Sequence, residues 1–380
     1  MAEEYDVAII GAGVGGASLA ANLGSGLKAA ILEAEAFPGY HTSGRSAAFY
    51  SESYGGPAVQ PLTTASLPCF LAAERETGEA WLGAARGALY VGQAHQLDAL
   101  RQMRALFPAV EMQVIGPKQV AGHAPMLRRE WTAGGLWEPG VRDINTATMH
   151  QAFLRTFKRN GGVLKTGWRV ASLTREAGGW IISSGTEEIR ARVIVNAAGA
   201  WADELAQLAG LPPIGLVPMR RTLVVLRVPQ AEYRADAPLV LDVDGSFYFK
   251  PDAGTYWISP HDETPSVPCD AQPEELDVAI ALDRLEQATT LTIARPERSW
   301  AGLRTFAPDR APVYGFEPTA AGFFWCAGQG GFGMQTAPAA GRLCASLVRG
   351  ERLPEDLDAA GVDAGAYSPA RFRGAAETGA

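Results

Sequence analysis

The chain has 380 residues, 47% of them hydrophobic and 19% charged, enough apolar material for a sizeable core and too much for a disordered chain or a disulfide-stapled miniprotein. With 41 acidic residues against 33 Lys and Arg the net charge is -8, which disfavours an extended phosphate-binding surface and hence nucleic acid as a partner. The four cysteines, Cys69, Cys269, Cys326 and Cys344, make no CxxC pair; they match neither a zinc site nor a disulfide framework and suit free thiols in a reducing cytoplasm.

No apolar run approaches the ~18 residues of a membrane span. The apolar stretch near the start follows Glu3, Glu4 and Asp6 where a secretory signal would carry basic residues. The expectation is a chain of two or three domains, in the cytoplasm or peripheral to its membrane, without a transmembrane segment.

Tyr5 to Ile10 read YDVAII, the short continuous apolar run of a strand buried on both faces of a parallel sheet. GAGVGG follows, with Gly11, Gly13 and Gly16 in GxGxxG, then a helical segment from Ala17 to Leu23 and a second strand from Ala29 to Leu32 that ends at Glu33. In such a unit the first glycine permits the turn, the second lets backbone approach a pyrophosphate and the third lets helix pack on strand. Glu33 stands where, about 20 residues on, a carboxylate accepts hydrogen bonds from a ribose hydroxyl. The unit therefore predicts a dinucleotide site, with NAD and FAD both open.

RVIVNAAGAW, from Arg192 to Trp201, is another apolar run ending in small residues, as expected of a strand that returns to the nucleotide. Arg220 to Val228, SFYFK at Ser246 to Lys250 and Tyr256 to Ser259 alternate as an antiparallel sheet does. The segment from Pro273 to Leu291 is an amphipathic helix with Val278, Leu282 and Leu285 along one face, suited to cover that sheet. Near the end Phe323 to Ala327 lead into Gly328, Gly330, Gly331 and Gly333, and a helix from Thr336 to Leu347 is predicted to be interrupted near Pro338 and Gly341. A flavin dinucleotide is long enough to reach both glycine-rich entries, and its isoalloxazine gains from a helix N-terminus at the second, which NAD leaves unexplained. The tail from Arg371 is predicted to fray.

The motifs GYHTSGRSAAFYSESYG, DINTATMHQAFL, VNAAGAWADELAQLAG, SFYFKPDAG and GFFWCAGQGGFGMQT resemble the flavoprotein family of D-amino acid, glycine and sarcosine oxidases, and within it the bacterial D-arginine dehydrogenases. The resemblance implies an α/β fold, with a Rossmann-like FAD-binding domain (1–84, 146–215 and 305–367), a mostly antiparallel substrate domain (85–145 and 216–304) and a flexible tail (368–380). It implies FAD contacts at Gly11, Gly13, Val14, Gly15, Gly16, Glu33 and Ala34, and in the loop His41, Thr42, Ser43, Gly44, Arg45, Ser46, Ala47, Ala48. Further contacts are implied at Val170 through its backbone, Ala198, Gly199, Gly330, Gly331, Phe332, Gly333, Met334 and Gln335. Tyr54, Arg221, Tyr248 and Arg304 are implied to hold a substrate carboxylate over the flavin, a task for which guanidinium and phenol donors are chemically apt.

Arg220 and Arg221 are adjacent in a strand, so only one of them can reach the pocket. The family's acid for a substrate guanidinium falls at Ala88, and a histidine ahead of Tyr54 is replaced by Phe49. These two residues therefore predict a side-chain pocket that prefers uncharged D-amino acids, with Glu52 or Asp244 as candidate replacement acids. The implied reaction is oxidative deamination to a 2-oxo acid and ammonia. The electron acceptor, oxygen, a quinone or another carrier, stays open, as does covalent attachment at His41 or Cys326, non-covalent FAD being the closer match. The alternatives are a glycine or sarcosine oxidase, a 2-hydroxy acid dehydrogenase and a flavin-binding protein without turnover. His41, His95, His123, His150 and His261 show no metal-ligand spacing.

Overall fold

The computed structural model describes residues 3–373. Within them an eight-stranded sheet has five parallel strands at its heart, Val163–Lys165, Ala29–Leu32, Glu3–Ile10, Glu188–Asn196 and Phe323–Ala327. Glu3–Ile10 and Ala29–Leu32 are buried on both faces from Val7 onward, as their unbroken apolar runs require. Antiparallel strands, Ser172–Glu176, Gly179–Ser183 and Val313–Phe316, extend the sheet.

One face is covered by the Val14–Asn22, Thr146–Arg159 and Gly333–Arg349 helices. The last runs unbroken through Pro338 and Gly341, where an interruption was expected. Proline costs it one internal hydrogen bond, but residues 334–341 are all buried, and that packing outweighs the loss. Gly341 is a contact point: a Cβ there would lie 2.6 Å from the Ser18 carbonyl oxygen, so glycine lets the two helices touch.

The second sheet has nine strands among the described residues. Val217–Leu226 lies between Thr255–Ser259 and Arg298–Phe306, antiparallel to both, and the order continues through Tyr248–Asp252, Leu239–Asp242, Ala88–Gly92 and Gly134–Glu138. Strand alternation sends Leu89, Val224 and Ile258 to one face, where the Glu275–Ala288 helix covers them with Ala281 and Leu285. Ala88, Leu223, Leu241 and Tyr248 go to the other. A small sheet of Phe49–Tyr50, Leu82–Ala85 and Arg142–Ile144 joins this second face through Lys250, whose ammonium donates to Asp143 at 2.6 Å.

The large sheets are fastened by the loop that carries Thr42 and Arg45. Thr42 donates to the Leu303 carbonyl, Arg45 donates to the carbonyls of Ala271 and Ala301 and pairs with Asp270, and Trp300 Nε1 donates to the Arg45 carbonyl. Arg371–Arg373, expected to fray, are docked instead. Arg371 bonds Asp309 and the carbonyls of Ala311 and Pro312, and Arg373 bonds the buried Glu317 carboxylate at 2.7 Å. Cation–carbonyl bonds hold this segment, which hydropathy does not register. Residues 374–380 lie outside the described residues. No helix is long and apolar enough to cross a membrane among the described residues.

Candidate functional site

A cavity of about 260 Å³ opens between the two large sheets. At its first-sheet end Gly11 adopts φ +107°, and a Cβ on it would stand 2.3 Å from the Ala197 carbonyl oxygen. Only glycine fits this turn. The Glu33 carboxylate is set by two backbone donors, Ala12 N–H at 2.7 Å and Glu35 N–H at 2.8 Å. Its unused lone pairs suit a ribose diol. Ser43 reaches across to accept from Val14 N–H at 2.9 Å at the N-terminus of the first helix.

Twenty of the predicted residues line the cavity: Gly11, Gly13, Val14, Gly15, Glu33, Ala34, His41, Thr42, Ser43, Arg45, Ser46, Val170, Ala198, Gly199, Gly330, Gly331, Gly333, Met334, Arg221 and Arg304. Others stand behind the wall. Gly16 and Gly44 make close approaches, with Cβ positions 2.1 and 2.6 Å from the carbonyl oxygens of Gly11 and Gly39. Ala47 and Ala48 are buried in apolar clusters, and Phe332 packs on Phe306 and Tyr54. Gln335 is a brace: its amide donates to the Tyr54 carbonyl and to Thr63.

Arg221 and Arg304 come from adjacent strands. Arg221 is in register with Gly302, so Arg304, two residues on, projects to the same face. Arg220 points the other way, to Asp277 of the covering helix and to Glu274 just before it. Arg304 Nη1 donates to the Tyr54 hydroxyl at 2.7 Å, and Nη2 reaches the Tyr248 hydroxyl at 3.5 Å. Tyr54 and Tyr248 thus back Arg304 from outside the cavity wall. Burial opposes both partners of the Arg304–Tyr54 contact, but their mutual attraction prevails: the guanidinium holds its proton more tightly than usual and the Tyr54 phenol is pulled below its ordinary range.

Arg221 is only 3% exposed. Its Nε donates to the Asp262 carbonyl at 2.6 Å and Nη2 to Glu263 at 3.1 Å, while Nη1 is buried without a partner. Burial and the neighbouring Arg304 push its pKa down, although guanidinium keeps its charge in proteins. Two buried cations with an unpaired donor between sheets are an incomplete arrangement that an anion would complete.

Phe49 packs edge-on against Tyr54 and Tyr248 at 5.0 and 6.4 Å. With Ala88, Leu223 and Leu241 it belongs to one apolar cluster. Glu52 and Asp244 are engaged elsewhere, by Thr64 and Gln96.

Other residues that shape the site had not been singled out. His261 holds φ +56°, its Nδ1 meets the Gly245 carbonyl at 2.9 Å, and its ring packs edge-on against Tyr248. Burial, then Arg221 and Arg304, press its pKa down to about 3, so the ring is neutral. His150 donates to the Ala12 carbonyl at 2.8 Å, supporting the glycine turn from below, and burial lowers its pKa. Its place in DINTATMHQAFL offered no sign of this, because the contact closes only in three dimensions. Trp201 and Gln329 also line the cavity. The described residues hold no cluster suited to a metal ion, and the four cysteines are unbonded.

A glycine turn at the tip of a parallel strand, an acid at the end of the next and a second glycine-rich helix entry across the cavity define a dinucleotide-dependent flavoprotein. Residues 6–347 match the family described as FAD dependent oxidoreductase (DAO), and the chain belongs to that family. Its cofactor is FAD, which the Glu33 carboxylate and the two glycine-rich entries fit. The chain is 26% identical to mitochondrial dimethylglycine dehydrogenase of Mus musculus over 93% of its own length and 43% of that protein's. It thus spans less than half the length of that relative. Glycine oxidase of Geobacillus kaustophilus is 25% identical over 61% of this chain and 60% of its own. Its crystal structure superposes with a TM-score of 0.79 at 24% identity, covering 92% and 96% of the two chains. L-proline dehydrogenase from P. horikoshii gives 0.82 at 20% identity, covering 98% of each. These likenesses establish the mixed α/β fold.

Proposed function

We propose that the protein is an FAD-dependent D-amino acid dehydrogenase or oxidase that favours uncharged side chains and holds its flavin non-covalently. The observation that carries this reading is Arg221 Nη1, buried without a partner beside Arg304 in the cavity wall. A substrate carboxylate supplies the missing acceptor in charge-assisted geometry. The names of the relatives, glycine oxidase and dimethylglycine dehydrogenase, support an amino acid substrate. The D configuration rests on the resemblance at Tyr54, Arg221, Tyr248 and Arg304.

FAD, when bound, supplies the two-electron acceptor for the hydride that leaves the substrate α-carbon. Arg221 and Arg304 bind the carboxylate, and Tyr54 and Tyr248 fix the angle at which Arg304 presents its donors. The same positive charge disfavours the ammonium form of the substrate, so the amine releases its proton to water and its lone pair is free to form the imine. His261, with its pKa near 3, is too weak a base to compete for that proton at neutral pH. No side chain is therefore required as a base. The imino acid takes up water and yields a 2-oxo acid and ammonia.

The apolar cluster around Phe49 and Ala88 gives a guanidinium side chain no acid to meet. Losing one charge-assisted partner costs ~1.5–3 kcal/mol, about one to two orders of magnitude in preference. A panel of D-leucine, D-methionine, D-phenylalanine and D-arginine, run with and without an artificial electron acceptor, tests the reading. The uncharged substrates should exceed D-arginine in kcat/KM by that factor, and anaerobic addition should bleach the flavin absorbance. A D-arginine optimum would refute the preference. Turnover of glycine or N-methylglycine alone would establish the second reading, which the glycine oxidase match favours. Acid precipitation should release free FAD.

A further inference from the structure

The turn that carries Tyr54 is gripped by a carboxylate that takes no part in the reaction described above. Glu138, at the end of its strand in the second sheet, is 3% exposed. Its Oε2 accepts from the Ser51 hydroxyl at 2.9 Å and the Ser53 hydroxyl at 2.5 Å, and its Oε1 accepts from Glu52 N–H at 2.8 Å. Three consecutive residues of the turn thus converge on one side chain. Tyr54, the next residue, closes the turn by donating its N–H to the Ser51 carbonyl and places its hydroxyl on Arg304.

Among the described residues no lysine or arginine pairs with Glu138. Burial raises its pKa, and the Ser53, Ser51 and backbone donors oppose that rise. A buried acid that is costly to keep, and whose three bonds all go to one turn, acts on whatever that turn carries. Glu138 is also the cross-strand partner of Ala88, so it shares a face with the proposed side-chain pocket. Three of its roughly four acceptor sites are committed to the turn.

We propose that Glu138 is a positioning residue for substrate binding: by holding Ser51, Glu52 and Ser53 it sets the Tyr54 hydroxyl against Arg304. The proposal rests on the reading that Arg304 and Tyr54 serve the substrate carboxylate. In Glu138→Gln the three bonds donated by the turn are replaced by a weaker set: the amide oxygen still accepts from Glu52 N–H, and the serine hydroxyls must turn to accept from the new NH2 donors.

The test measures propionate binding to the FAD-loaded protein through perturbation of the flavin spectrum, together with kcat, KM, FAD content and Tm. In Glu138→Gln the propionate dissociation constant should rise roughly fivefold and KM in parallel, with kcat within twofold and FAD content unchanged. In a Tyr54→Phe background the same substitution should add less than twofold, because the hydroxyl it positions is gone. A full fivefold effect in that background, or none in the wild-type background, overturns the proposal. If Glu138→Gln fails to fold, Ser53→Ala removes one of the three donors and should raise the dissociation constant roughly twofold with the same dependence on Tyr54. If Arg304→Met and Tyr54→Phe themselves leave propionate binding unchanged, the carboxylate-binding reading fails and this proposal with it. If they weaken binding and the Glu138 and Ser53 variants do not, only the positioning role fails.

Discussion

The two ends of the cavity are made of different materials. On the first sheet the wall is mostly backbone, with Gly11 turned to a φ that side chains resist, Ala197 pressed against it and Glu33 steered by main-chain N–H groups. On the second sheet the wall is long side chains, Arg221 and Arg304, held by phenols, carboxylates and a carbonyl from distant segments. Backbone shape is written locally and resists change through steric exclusion. A side-chain clamp is written across the sheet and fails one charge at a time.

Arg304→Met should break the second end most severely: a buried charge partner removed from a bound carboxylate costs about 3–4 kcal/mol, roughly 200- to 1000-fold in kcat/KM, with FAD content kept. Loss of FAD instead would show that the two ends are not separable. Arg373→Ala probes the opposite exception, a place where the first sheet depends on one side chain. Burial works against the charge of Glu317, yet Arg373, Thr319 and Trp325 hold its pKa down at about 2. Removing Arg373 leaves that carboxylate buried and should lower stability by about 3 kcal/mol in urea titration, with kcat unchanged. Because the folded pKa lies below the unfolded value of 4.5, the wild-type advantage should be full above pH 4.5 and fade as the pH falls through 2.

Gly11→Ala should cost about 1–3 kcal/mol through the clash with Ala197 and release FAD on dilution while leaving the arginines in place. Retained FAD at wild-type Tm would show that the turn yields more readily than its geometry indicates. The smallest effect at neutral pH is expected at His261. Its folded pKa of about 3 lies below the ordinary 6.5, so the folded state binds fewer protons. Stability is full above pH 6.5 and declines by up to ~1.4 kcal/mol per pH unit as the pH falls toward 3. His261→Asn, which tolerates the positive φ, should flatten that decline, measured as Tm against pH.

The same contrast decides what could be read from the chain in advance. The first strand, the glycine turn and Glu33 lie within one short stretch, and their spacing reports their geometry. The parity of Arg220 and Arg221 was also legible, since strands alternate, but the pairing of Arg221 with Gly302 that brings Arg304 beside it was not. The helix after Gly333 was expected to break because Pro338 and Gly341 were weighed by local propensity. Ser18, on a helix more than 300 residues away in the chain, is the partner that makes Gly341 favourable. Glu138, His150 and His261 were missed for one reason: each acts through hydrogen bonds or ring contacts to residues distant in the chain, and neither hydropathy nor motif spacing carries such information.

The two strands that present Arg221 and Arg304 also limit how this protein can drift. Inserting or deleting one residue between Val217 and Arg221, or between Gly302 and Phe306, would swap inner and outer faces and exchange Arg221 for Arg220, or bury Leu303 where a cation belongs. Length changes here survive only in steps of two, or as bulges that restore parity. Descendants of this chain should therefore vary freely in the loops around these strands while changing length within them only by even numbers of residues.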